Sequence, residues 1–202
     1  LIATHNGIPE RHIPRINVND YPAIKRHLDA YWEQISTRSD QGDTPYNLRS
    51  CAYIDDFSNP KVLWAETMRI RKGIDERFPR FSFSSRDIFT DKTCFMATGQ
   101  DLLFALALLN SKVGYYQLMQ TVAMMDNGGY LMQKIYVETI RLPKIKKSEQ
   151  KRLEKHTITL LDGKGTEDLE EEIDKTISDL FGLTPKERDY LDHIFSRTLV
   201  RL

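Results

Sequence analysis

At 202 residues the chain can hold one domain, or one domain and a small appendage, and 40% hydrophobic residues suffice for a core. Its 29 Lys and Arg balance 29 Asp and Glu, so net charge alone excludes neither an anionic nor a cationic partner. No apolar run approaches the roughly 18 residues that a membrane-spanning helix needs, and no signal peptide is present, so a cytoplasmic chain without a membrane partner is expected. The charge is uneven along the chain: 20 basic against 16 acidic residues through Lys147, then 9 against 13 from Ser148. A mildly basic body followed by an acidic tail is compatible with a polyanionic partner for the body. Cys51 and Cys94 lie in apolar, strand-like runs with no CxxC or Cys/His cluster. This argues against zinc and for two buried free thiols, with a disulfide as the alternative.

Residues 1–19 are rich in Pro, His and Arg and show little periodicity, which reads as a connector. The chain opens on Leu1 rather than Met, which suggests a fragment whose upstream region is missing. Asp20 with Pro22 opens a helix of about four turns, with Ile24, Leu28, Tyr31, Trp32 and Ile35 along one stripe. Residues 46–53 and 61–68 read as strands separated by a turn at Ser58, Asn59 and Pro60. In the second run both faces are mostly apolar, as in a covered sheet. Residues 81–84 and 93–97 alternate like further strands. Residues 100–119 predict one central buried helix carrying Leu102, Leu106, Leu109, Val113 and Met119. Asn127-Gly128-Gly129 marks a sharp turn, 130–136 a strand and 140–145 an extended exit. Helices follow over 148–161 and 167–181, the latter closed by Gly182, and the box Thr184-Pro185-Lys186-Glu187 opens the last one. The expected class is α+β: a mixed β-sheet lobe over 20–147 around a central buried helix, then a helical packing or spacer segment over 148–202.

Catalytic constellations are sparse. There is no glycine-rich phosphate loop and no HExxH. Adenine methylation typically uses an Asn/Asp-Pro-Pro-aromatic loop around a flipped base, and Asn59-Pro60-Lys61 lacks the second proline and the aromatic. Asp55, Asp56 and Glu66 are the nearest approach to a metal-dependent nuclease site, although Asp55-Asp56 reads more simply as an inter-strand turn. Glu170-Glu171-Glu172 reads as a solvated helix face. The five histidines are dispersed.

Recognition chemistry is better represented. Reading duplex DNA takes cations for phosphates and Arg, Lys, Asn or Gln for base edges, because these match the donor and acceptor pattern of the major groove. Three polar, irregular segments supply such groups. The first offers Arg38, Asn47 and Arg49. The second offers Arg69, Arg71, Lys72, Arg77, Arg80 and Arg86. The third offers Asn127, Tyr130, Gln133 and Lys134 around two glycines that permit close backbone approach.

An ordered series of short motifs then resembles a known family. The series runs through Asp20-Tyr21-Pro22-Ala23-Ile24 with His27-Leu28, Arg38-Ser39-Asp40-Gln41-Gly42, Pro45-Tyr46-Asn47-Leu48-Arg49-Ser50-Cys51 and Pro60-Lys61-Val62-Leu63-Trp64-Ala65-Glu66. It continues with Thr93-Cys94-Phe95, Leu108-Leu109-Asn110-Ser111-Lys112, Leu142-Pro143-Lys144-Ile145 and Leu180-Phe181-Gly182-Leu183-Thr184. Together they resemble the C-terminal specificity (target-recognition) domain of TaqI-like adenine-N6 DNA methyltransferases and fused type IIG restriction-modification enzymes. The exit followed by Glu149-Gln150 also resembles the specificity subunits of type I restriction systems. The resemblance implies a lobe without catalytic activity of its own that places loops in the major groove of double-stranded DNA. It also implies an upstream methyltransferase domain that binds S-adenosylmethionine and belongs to the same protein, with no cofactor in the lobe. It carries over no base-reading residue. Two other readings stand beside it: a protein-interaction or oligomerisation module using the C-terminal helices, and the nuclease built on Asp55, Asp56 and Glu66.

Overall fold

A computed structural model of the chain describes residues 2–70, 78–126 and 128–195. Local sequence signals account for most of the elements, and three breaks in them depend on tertiary contacts. The fold is α+β, with eight α-helices and two three-stranded sheets among the described residues. Every strand pairing there is antiparallel. The chain divides into two compact units, Leu1–Ile54 and Asp55–Leu202.

In the first unit, residues 1–19 are built in rather than connecting. Ile8 and Ile13 form a bridge, and the Leu48 N–H donates to the Thr4 carbonyl at 2.8 Å. Asn47 is 1% exposed, and its Nδ2 donates to the carbonyls of Ile16 (2.9 Å) and His5 (3.3 Å) while its Oδ1 accepts from Thr44 Oγ1 at 2.6 Å. The helix expected over 20–35 is two helices, α1 (Pro22–Asp29) and α2 (Trp32–Thr37). Asp20 does not cap α1; it closes a short 3-10 helix, Val18–Asp20, whose own cap is Asn17. The break at Ala30–Tyr31 coincides with the packing of the Trp32 ring on Tyr46 at 5.3 Å, and the Tyr46 hydroxyl donates to Asp29 at 2.6 Å. Residues 46–53 form no strand; a single bridge joins Leu48 to Gln41.

A 3-10 helix, Ile54–Ser58, carries Asp55 and Asp56 and leads into β1 (Lys61–Ala65) and β2 (Thr67–Arg69) of the second unit. The expected single strand over 61–68 breaks at Glu66. The Glu66 N–H donates to the Thr93 carbonyl at 2.8 Å and its carbonyl accepts from Met132 N–H at 2.7 Å. One chain run thus supplies a strand to each sheet. β1 is central between β3 (Ser82–Ser84) and β4 (Cys94–Thr98); β2 pairs with β6 (Gly129–Leu131), which pairs with β5 (Ala123–Met124). The first sheet is covered mainly on one face: Val62 and Trp64 are buried, whereas Ala65 is exposed. The Trp64 indole donates to the Met132 carbonyl at 2.8 Å, so this buried donor is satisfied across the junction of the sheets.

The expected long helix over 100–119 is α3 (Leu102–Leu109) followed by α4 (Lys112–Met119). Asn110 turns its amide onto the Phe81 backbone, accepting from its N–H at 3.0 Å and donating to its carbonyl at 2.9 Å. Ser111 caps α4 by accepting from Gly114 N–H at 3.0 Å. Gly114 is required there because a Cβ would overlap the Leu108 carbonyl. α3 is apolar all round and serves two cores. Leu106 and Leu109 pack with Val62, Trp64, Met68 and Phe81 of the sheets. Phe104 and Leu108 pack with Leu153, Leu160, Ile173, Ile177 and Leu191. The latter set comes from α6 (Lys147–Leu161), α7 (Glu167–Leu180) and α8 (Pro185–Phe195), joined to the sheets through the short helix α5 (Lys134–Val137) and an extended exit. The apolar faces of the C-terminal helices therefore belong to the core of this unit. Thr184 and Glu187 form the expected capping box, with the Thr184 N–H donating to Glu187 Oε2 at 2.7 Å.

Candidate functional site

Arg69, Arg80 and Arg86 are positioned by the strands and turns around them. Arg69 ends β2, opposite Gly129 of β6, and is exposed. Arg80 lies beside it: its Nη2 donates to the Arg69 carbonyl at 3.2 Å, and its backbone N–H contacts Met68 Sδ at 3.4 Å. Just before Arg80, the fully buried ring of Phe78 packs on Tyr130 (4.6 Å) and edge-on to Tyr115 (5.4 Å). Tyr130 is therefore half-buried framework. The β5–β6 turn closes the same end of the sheet, with Met125 N–H donating to Gly129 O at 2.7 Å. Gly128 turns there with φ +76° and open space on its Cβ side, a left-handed conformation that favours glycine. Arg69, Arg80 and the glycine turn thus share one end of the β2–β6–β5 sheet. Arg71, Lys72, Arg77 and Asn127 lie outside the described residues.

The other expected residues lie elsewhere. Arg86 is near the start of β1, at the opposite end of the run Lys61–Arg69. Its N–H donates to Ser84 Oγ at 3.1 Å and its carbonyl accepts from Lys61 Nζ at 2.9 Å. Lys61 is 0% exposed, so a buried ammonium fixes the backbone that presents the exposed Arg86 side chain. Nothing in the strand pattern singles out Lys61, because a lysine on a strand reads as a solvent position. Gln133 caps α5 by position without a side-chain bond, and Lys134 pairs with Glu138 at 3.1 Å.

In the first unit, Arg38 Nη2 donates to the carbonyls of Asn47 (2.7 Å) and Pro45 (3.3 Å), holding the turn. Asn47 is buried and its amide is occupied, which makes it framework rather than a contact surface. Arg49 is exposed and meets Asp40 at 3.1 Å in a solvated pair of little energetic weight.

The carboxylates do not converge. Asp56 Oδ1 accepts from Thr98 Oγ1 at 3.3 Å, and Glu66 sits at the junction between the sheets. Among the described residues no group of three or more His, Cys, Asp or Glu could hold a metal ion. Cys51 and Cys94 are free and half-buried, and burial pushes the Cys94 thiol up. The largest shift belongs to Asp174 of α7. Burial raises its carboxyl to about 6 although the Lys112 N–H donates to it at 2.8 Å. Among the described residues no helix is long and apolar enough to cross a membrane. No known family model and no curated protein matches the chain.

Proposed function

We propose that the chain is a sequence-specific double-stranded DNA recognition module of a restriction-modification protein that includes an adenine-N6 methyltransferase. The observation that carries this reading is the end of the β2–β6–β5 sheet, where Arg69 and Arg80 stand together beside a glycine turn. Guanidinium groups suit both phosphate oxygens and guanine edges, and Gly128, with open space where a Cβ would stand, lets the turn's backbone approach a groove there. Phe78, two residues before Arg80, packs on Tyr115 and on Tyr130, which stands opposite Met68, the neighbour of Arg69. The order of motifs that resembles the target-recognition family supports the same reading. The chain contains no Asn-Pro-Pro-aromatic loop, so methyl transfer and its S-adenosylmethionine are assigned to a separate domain.

Fluorescence anisotropy with labelled duplexes tests it. Affinity is expected to fall linearly with salt on logarithmic axes. Arg69→Ala is expected to weaken binding about ten-fold, within the roughly 1–3 kcal/mol of a bidentate base contact. Unchanged affinity in an Arg69→Ala/Arg80→Ala double variant would remove this end of the sheet from the interface.

A further inference from the structure

The C-terminal segment is acidic in sum, yet its first helix is not. Leu153, Thr157 and Leu160 bury one face of α6. Lys147, Lys151 and Lys155, spaced i, i+4, i+8, occupy the opposite face and are all exposed. The exposed Arg141, Lys144 and Lys146 of the preceding exit lead into this stripe. Among the described residues none of these six side chains makes an ion pair. The acids of the helix, Glu149 and Glu154, are half-buried and neither pairs with a lysine of the stripe among the described residues; Glu154 accepts from Gln150 at 2.8 Å.

This arrangement is unfavourable for the helix by itself. Like charges at i, i+4 repel, and cations are disfavoured in a helix's first turn by its dipole, where Lys147 stands. A run of unpaired lysines, directed away from the core along about two turns, suits a ligand with regularly spaced negative charge. We infer that the lysine face of α6, with the exit segment before it, is a phosphate-backbone contact surface for duplex DNA, distinct from the sheet end that carries Arg69 and Arg80. Its partner rests on the duplex reading above. It adds sequence-independent affinity, because lysines meeting phosphates carry no base information.

The test is a Lys147→Gln/Lys151→Gln/Lys155→Gln variant of the full 202-residue chain, titrated with a 30-base-pair duplex over a range of salt. If each lysine meets a phosphate, the slope of log affinity against log salt becomes shallower by about 2–3. Sequence preference should stay as in the parent, and the melting temperature should be equal or higher because the repulsion is gone. A slope unchanged from the parent overturns the inference. So does a parent chain that binds vesicles containing anionic phospholipid through these lysines but shows no lysine-dependent binding to duplex. If the lysine variant is silent while Arg69→Ala still weakens binding, this inference fails and the reading above stands. If the lysine variant flattens the slope while Arg69→Ala/Arg80→Ala has no effect, the sheet-end reading fails and this surface remains.

Discussion

Two side chains show how single groups set the stability of the second unit. Asn110 satisfies both backbone groups of Phe81 inside the core. Asn110→Ala leaves a buried N–H and carbonyl without that partner and is expected to destabilise the unit by about 1–3 kcal/mol. Urea denaturation measures this, and a loss within a few tenths of a kcal/mol would show that the backbone finds other partners. Asp174 has the opposite character. Its carboxyl titrates at about 6 in the fold against an ordinary 3.8, because burial disfavours the charge. A raised acid contributes stability that is fully present below about pH 3.8 and is lost as pH rises through about 6, up to about 3 kcal/mol. Asp174→Asn keeps an oxygen for the Lys112 N–H and removes the charge. The variant is expected to equal or exceed the parent in stability at pH 7.5, with the difference shrinking toward pH 4. Denaturation at several pH values checks this, and a variant clearly weaker at pH 7.5 would contradict the assignment.

At the scale of elements much of what is encoded locally is legible, although the strand expected over 130–136 ends at Leu131 and gives way to helix α5. The periodicity of α6, α7 and α8 and the Thr184–Glu187 box mark the C-terminal helices, and alternation marks β3 and β4. The three breaks are not legible, because each coincides with a contact to a distant partner. Trp32 reaches Tyr46, Asn110 reaches Phe81, and Glu66 bonds Thr93 on one side and Met132 on the other. No window of residues around 30, 66 or 110 contains those partners. The strand expected over 46–53 failed for a related reason. Its polar residue Asn47 turns inward to three carbonyls instead of alternating outward. The candidate site was legible as a composition of Arg, Asn, Gln and Lys. The sorting of that composition needed coordinates: Asn47 and Arg38 are framework, whereas Arg69 and Arg80 stand together at a sheet end. The lysine stripe of α6 was visible as spacing, but the net acidity of the segment masked it.

The second unit as a whole is a helix, α3, packed between a sheet layer and a helical layer. That architecture leaves the ends and outer faces of the layers for contact, and the two proposed cationic surfaces belong to different layers. Under the two proposals labour is divided: the sheet end is proposed to select a sequence, and the α6 face to add affinity at any sequence. The central claim is selection, and the most direct measurement is enrichment of duplexes retained by the full chain from a random pool at moderate salt. The account predicts convergence on one short sequence, lost in Arg69→Ala/Arg80→Ala and kept in the α6 lysine variant. Retention of the pool without enrichment would contradict it.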